Sequence, residues 1–187
     1  MPEFDKQYWE RHWSGSTGVA PPNPYLARET SELKPGTALD AGCGAGAEAR
    51  WLAGRGWQVT AADISSEALA RAAGAERVRW VEADLTTWDP GTRFDLVTTH
   101  YAHPAMPQPA FYDRLARWVA PGGTLLIVGH VHTGHGHHPP AEASATAAAV
   151  TARLDQTEWE IVTAEEPQRM LHGVPLHDVV VRATRRG

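Results

Sequence analysis

Ala38-Leu39-Asp40-Ala41-Gly42-Cys43-Gly44-Ala45-Gly46-Ala47 is the stretch on which the fold turns. A short apolar lead ends in an acid, three glycines follow at alternate positions, and a helix-prone run begins. This order predicts a strand, a tight loop and a helix. Glycines let the backbone take unusual turns and let a ligand approach the main chain. A helix that starts there turns its first N–H groups toward that ligand. A dinucleotide loop spaces its glycines G-x-G-x-x-G, and its pyrophosphate wants no carboxylate nearby. Here the spacing is D-x-G-x-G-x-G, and an acid at the strand end suits an ammonium or sulfonium group. A plain tight turn without a ligand is the other reading of the loop taken alone.

Working outward, Glu48 to Ala53 continues a helix that Gly54 and Gly56 stop. Trp57 to Asp63 reads as a second strand ending in an acid. An acid about 20 residues past such a loop accepts hydrogen bonds from ribose hydroxyls in nucleoside-binding α/β folds. As a bland alternative, Asp63 is a helix cap or a loop acid. Ser65 and Ser66 can cap the next helix. Val78 to Glu82 is a third strand, followed by Ala83-Asp84-Leu85. Phe94 to His100 is a fourth, apolar in its centre as a strand covered on both faces should be. Its carboxyl end, Thr99-His100-Tyr101-Ala102-His103-Pro104, lies where ligands gather in an open parallel sheet. Ala110 to Val119 forms an amphipathic helix with Phe111, Leu115, Trp118 and Val119 on one face. Pro121-Gly122-Gly123 then turns the chain into a fifth strand, Thr124 to Gly129. Ala141 to Leu154 is alanine-rich and helical, and Trp159–Glu165 and His177–Ala183 read as two last strands joined through a hairpin at Leu171–Pro175.

The glycine loop, Asp63, Asp84 and the Pro-Gly-Gly strand, in this order, resemble the class I S-adenosylmethionine-dependent methyltransferases from about Lys34 to Arg182. The resemblance implies a Rossmann-like α/β fold. Its sheet would have seven mostly parallel strands in the order 3-2-1-4-5-7-6, the seventh antiparallel, with helices on both faces. It also implies S-adenosylmethionine as cofactor. The seat would comprise Asp40, Gly42, Cys43, Gly44 and Gly46 in the loop, Asp63 and Ile64 beside the ribose, Asp84 and Leu85 at the adenine, and Thr99. The short length and aromatic start look like bacterial small-molecule methyltransferases near the thiopurine and tellurite-resistance types.

The amino-terminal run Phe4-Asp5-Lys6-Gln7-Tyr8-Trp9-Glu10-Arg11-His12-Trp13 is heavily aromatic. Its aromatics either staple the terminus to the core or fold over the cofactor as a lid, with Tyr8 and Trp13 at the sulfonium. We read residues 1–187 as one domain and 1–33 as that helical lid segment, including a short helix from Tyr25 to Leu33.

Composition narrows the partners. A net charge of −5 with a sequence pI near 6.0 lacks the basic balance of a nucleic-acid binder. The carboxyl end of the fourth strand also lacks the Asp/Asn-Pro-Pro-aromatic run of base-methylating enzymes. One cysteine, Cys43, excludes an internal disulfide and Cys-based zinc sites, and fits a cytoplasmic protein. No apolar run reaches membrane-spanning length. The expected partner is a small-molecule substrate, with no nucleic acid and no membrane, for a monomer or homodimer. His130, His132, His135, His137 and His138 follow the fifth strand. They suit either a metal or a polar pocket wall, and no carboxylate lies in the run, so we assign no metal.

Methyl transfer from a sulfonium needs alignment and exclusion of water rather than a catalytic triad. Where the acceptor must lose a proton, His100, His103 and His130 are the candidate bases and Tyr101 a positioning group. An NAD-dependent oxidoreductase and a non-catalytic cofactor- or metal-binding protein are the competing classes.

Overall fold

Strand β1, Thr37–Ala41, is buried from Ala38 onward and lies at the centre of the sheet. The computed structural model describes residues 4–16, 20–72, 74–131, 144–171 and 173–187. On one side of β1, β2 (Gln58–Asp63) pairs in parallel register, Thr37 with Gln58 through Ala41 with Ala62. Beyond β2 lies β3 (Val78–Glu82), also parallel. On the other side, β4 (Phe94–His100) and β5 (Val119–His130) continue the parallel run. The chain order therefore reverses between β1 and β4. An open parallel sheet leaves a crevice at the carboxyl ends of its strands at such a point.

Pairing with β4 breaks between Phe94 and Leu96, where Ala120 to Gly123 loop out of register. The expected Pro-Gly-Gly turn is thus a bulge inside β5 rather than a turn before it. The sheet closes with β8 (Val174–Arg185), antiparallel to β5 from Thr124–Thr184 to His130–Asp178, and with β6 (Trp159–Glu165) beyond it.

The overall order is β3-β2-β1-β4-β5-β8-β6, with one more strand than expected. The extra strand is β7 (Gln168–Leu171), which pairs with the first residues of β8 across a turn at Gly173. Its residues are largely exposed, so it carries no apolar alternation that sequence could reveal. The antiparallel strand expected as the seventh is the eighth.

Helices cover both faces. One core holds Leu39, Val97, Leu125 and Ile127 beneath α5 (Gln108–Arg117) and α6 (Ala147–Thr151). The other holds Ala38, Leu96, Leu126 and Val128 beneath α2 (Pro24–Thr30) and α3 (Ala47–Gly54). The strands alternate their side chains between these two cores, as the pleat requires. α4 (Ser66–Ala72) follows β2. α6 is shorter than the expected helix: Thr146 caps it by accepting from the Ala149 N–H, so Ser144 and Ala145 precede it, and Ala141–Ala143 lie outside the described residues. α2 is short as well. It begins at Pro24 with Asn23 as cap and ends at Thr30.

Candidate active site

At the carboxyl ends of β1, β2 and β4 the chain encloses a cavity of about 660 Å³, the size of small-molecule sites. Its wall comprises the glycine loop through Glu48, Asp63 and Ile64 after β2, Asp84 and Leu85 after β3, His100 to Ala105 after β4, and His130. α1 (Lys6–Ser14) forms the roof.

The glycine loop is tied down from beneath. The N–H groups of Gly42 and Cys43 both donate to the Ala62 carbonyl, at 2.8 and 3.1 Å. The Gly44 N–H donates to Asp63 Oδ2 at 2.8 Å, while Asp63 Oδ1 accepts from the Ser65 N–H at 2.9 Å. Asp63 thus joins the loop to the start of α4. Burial pushes its carboxyl up, although the N–H donors of Ser65, Gly44 and Ile64 pull it down. Asp40 is fully buried and pushed well above the usual carboxylate range by that burial, then by the charges of Glu48 and Asp63. Its Oδ2 has no hydrogen-bond partner. Three carboxylates crowd one end of the cavity, a setting that favours a cation. The Cys43 thiol is driven up by burial and by Asp40 and Asp63, so it stays protonated and packs rather than attacks.

The roof is latched. Asp5 caps α1 by accepting from the Tyr8 N–H. Glu10 reaches across to α4, where its carboxylate accepts from the N–H groups of Ser66 and Glu67 and from the hydroxyls of Ser65 and Ser66, at 2.9–3.1 Å. Burial raises the Glu10 carboxyl, but these donors outweigh it and hold it low. Lys6 pairs with Glu82, and Arg71 donates to the Ser16 carbonyl. At the other end Trp9 Nε1 donates to the His103 carbonyl, and Phe4 stacks on the His103 ring.

In the same wall Tyr101 takes a left-handed φ of 56°, a conformation costly for an aromatic residue. Its ring lies flat on His130, centroids 4.0 Å apart and 14° from parallel. Its hydroxyl accepts from Asn23 Nδ2 at 3.1 Å and Arg169 Nη2 at 3.0 Å, and burial pushes its pKa up to about 12. His100 is partly exposed at the cavity with its ring nitrogens buried, so desolvation lowers its imidazole pKa, and among the described residues neither ring nitrogen has a hydrogen-bond partner.

Comparison with known proteins agrees with this geometry. Residues 38–123 match the family model described as a methyltransferase domain. A probable thiol methyltransferase of Arabidopsis thaliana is 30% identical over 77% of this chain and 70% of its own length. The chain belongs to the class I S-adenosylmethionine-dependent methyltransferases. A trans-aconitate 2-methyltransferase of Streptomyces avermitilis is 34% identical over 68% of this chain, which spans about half, 51%, of that relative. Among solved structures, the 1,6-didemethyltoxoflavin-N1-methyltransferase of Burkholderia thailandensis, holding S-adenosylhomocysteine, superposes with a TM-score of 0.63. It is 25% identical, over 88% of this chain and 77% of its own.

S-adenosylmethionine is the cofactor of this methyltransferase, and the cavity fits it on its own terms. Glu48 and Asp63 in the wall, with Asp40 buried behind them and its Oδ2 unpartnered among the described residues, suit a cationic amino-acid end. The glycine loop leaves no room for side chains: a Cβ built on Gly44 would lie 2.6 Å from the Trp13 ring. Of the residues singled out by sequence, the cavity brings together Gly42, Cys43, Gly44, Gly46, Asp63, Ile64, Asp84, Leu85, Trp13, His100, Tyr101, His103 and His130. Asp40 is buried at the end of β1 rather than in the wall. Thr99 is not in the wall either. Its hydroxyl donates to the Ala41 carbonyl at 2.8 Å and ties β4 to β1. Tyr8 also lies off the wall, and Phe4, Trp9 and His12 join Trp13 there. The signal for this was available, since positions 9, 12 and 13 share one helical face. Glu48 and Ala102 were missed for want of any local pattern. Among the described residues no His/Cys/Asp/Glu cluster could hold a metal. Of the histidine run, His132 to His138 lie outside the described residues.

The raised acids make cofactor binding depend on pH. In the ligand-free fold Asp40 and Asp63 keep their protons above the ordinary aspartate pKa of about 3.9. This favours the free fold at low pH, and the contribution is lost as pH rises through their raised values. A cationic ligand favours the ionised forms, so binding releases protons. Affinity for S-adenosylmethionine should therefore rise from about pH 4 toward neutrality, by up to about tenfold per pH unit for each proton released. Calorimetry in buffers of different ionisation enthalpy reads that release, and a flat Kd across the window contradicts it.

Proposed function

We propose that the protein moves a methyl group from S-adenosylmethionine to a small-molecule acceptor bound between α1 and the Tyr101–His130 pair. The carrying observation is the make-up of one cavity: the glycine loop with its carboxylates, the stacked Tyr101–His130 rings and an aromatic helix latched in place by Glu10 all line it. The relatives support a small acceptor, since one is described as acting on a thiol and another on trans-aconitate. The cofactor supplies a methyl group already activated on a sulfonium. The chain's own tasks are then to seat both reactants, align them and keep water out. Asp63 and the glycine loop provide the cofactor seat, with Asp84 and Leu85 flanking it. Trp9 and Trp13 close the roof and offer aromatic faces to positive charge. His100, its ring nitrogens buried and its pKa lowered by desolvation, belongs to the inner wall. His103, Tyr101 and His130 form the acceptor wall.

Thermal melting with single ligands tests this reading. A ligand that binds only the fold at about 100 times its Kd stabilises by about 2.7 kcal/mol. For a chain of this size that is a rise of about 5–10 °C. S-adenosylmethionine and S-adenosylhomocysteine should each produce it, and NAD should not. A shift with NAD alone, or with neither adenosyl compound, removes the proposal.

A further inference from the structure

The acceptor wall rests on a pair of residues far from it in sequence. In the β5–β8 ladder His130 and Asp178 stand directly opposite, so their side chains share one face of the sheet. His130 Nδ1 lies 2.9 Å from Asp178 Oδ1. A carboxylate only accepts, so Nδ1 carries the hydrogen and the basic lone pair belongs to Nε2. Asp178 has no solvent exposure. Its Oδ2 accepts from Arg169 Nε at 2.6 Å, and the same guanidinium donates to the Tyr101 hydroxyl. One buried carboxylate and one arginine thus fix the tautomer of His130 and the position of the ring stacked on it. An ion pair costs much to bury, and Tyr101 adds a strained backbone. Fold stability alone explains neither.

The charges around the cavity narrow the acceptor further. The acidic side chains in its wall are Glu48, Asp63 and Asp84, and among the described residues no lysine or arginine lines it. None of the residues outside the described set is a lysine or arginine either. A polycarboxylate acceptor would meet no lysine or arginine there, only histidines among the basic side chains of the described wall.

We propose that Asp178, held by Arg169, positions His130 as the proton acceptor for an uncharged aromatic or heteroaromatic acceptor that bears a thiol, phenol or ring N–H. This rests on the methyltransferase reading above. In the step, the acceptor's proton passes to His130 Nε2 as its lone pair forms the bond to the methyl carbon. The carbon–sulfur bond breaks with its electron pair staying on sulfur. Phe4 and Trp9 on the roof, with Tyr101 below, give a flat acceptor faces to stack on.

The test is a series of para-substituted thiophenols and phenols, from largely ionised to largely protonated at the assay pH. Each is assayed with the wild type, Asp178→Asn and His130→Gln. On the protonated members kcat should fall about 10²-fold in both variants, the usual worth of positioned proton transfer. On the ionised members the loss should be much smaller, and Kd for S-adenosylhomocysteine should stay at the wild-type value. An equal loss across the series would mean a merely structural role and overturn the proposal. So would a wild type that binds S-adenosylhomocysteine yet methylates no member. Failure to bind S-adenosylhomocysteine at all strikes the methyltransferase reading instead. Because Asp178→Asn can misfold, the wild type is also examined by proton NMR. A far-downfield Nδ1–H resonance that disappears in the folded His130→Gln variant supports the pair, and its absence from the wild type overturns it.

Discussion

A Gly42→Val variant should lose S-adenosylmethionine binding by more than about 100-fold. Gly42 has φ +77°, and its N–H donates to the Ala62 carbonyl at 2.8 Å. A Cβ there would lie 2.3 Å from the Ala102 Cβ. Two costs then add. A left-handed conformation costs a residue with a side chain about 1–2 kcal/mol, and most for a β-branched one. Forcing atoms into a packed contact costs about 1–3 kcal/mol. Neither partner of the clash is a flexible side-chain end, so relief comes by moving the glycine loop or the Tyr101–Ala102 turn. The first holds the cofactor seat, and the second carries the acceptor wall. Calorimetric titration reads the loss, and the ligand-free melting point should fall by several degrees. Combining Gly42→Ala with Ala102→Gly separates the terms, because it removes the clash and leaves the φ cost. A Gly42→Val protein with wild-type affinity would show that the loop is not closely packed.

What the chain declares in its sequence and what it conceals divide along a physical line. The structure gathers the three glycines, Asp63 and Asp84 in one cavity wall, and their placement is legible because each lies within a few residues of a strand end, where spacing sets position. The inner parallel strands β1, β4 and β5 are legible for a different reason: a strand covered on both faces reads as an apolar run. β7 is concealed because it packs on little, and its exposed Met170 shows no periodic burial. Trp9 lines the cavity where Tyr8 is expected, a difference of one residue in helical phase, and one residue turns a helix by about 100°. Asp178 is the largest omission. It lies in the run His177-Asp178-Val179-Val180-Val181, where a lone acid resembles a strand edge. Its meaning comes from His130, 48 residues away in sequence and opposite it across the ladder. Pairing at that separation is a property of the assembled sheet, and no local pattern carries it.

Asp63→Ala should weaken S-adenosylmethionine binding by about 10²–10³-fold, through two routes that one analogue separates. The first is structural. The carboxylate satisfies the N–H groups of Gly44 and Ser65, and the side chain is almost wholly buried. Removing it leaves two donors unmet at about 1–3 kcal/mol each. The loss is partly offset, because burial already disfavours the ionised carboxyl. This part should appear as a lower melting point without ligand. The second route is direct recognition, in which the carboxylate accepts from ribose hydroxyls. Hydrogen bonds to a charged group are worth about 1.5–3 kcal/mol. A 2′,3′-dideoxy analogue of S-adenosylhomocysteine cannot make them. The wild type should bind the analogue far more weakly than S-adenosylhomocysteine, whereas Asp63→Ala should bind the two alike. Their non-additivity is the coupling energy between Asp63 and the ribose. Asp63→Asn keeps the shape and one acceptor oxygen, so it should fall between, at about tenfold. If the variant still discriminated between the two ligands as the wild type does, Asp63 would be a loop pin alone, and the ribose would have to be held elsewhere.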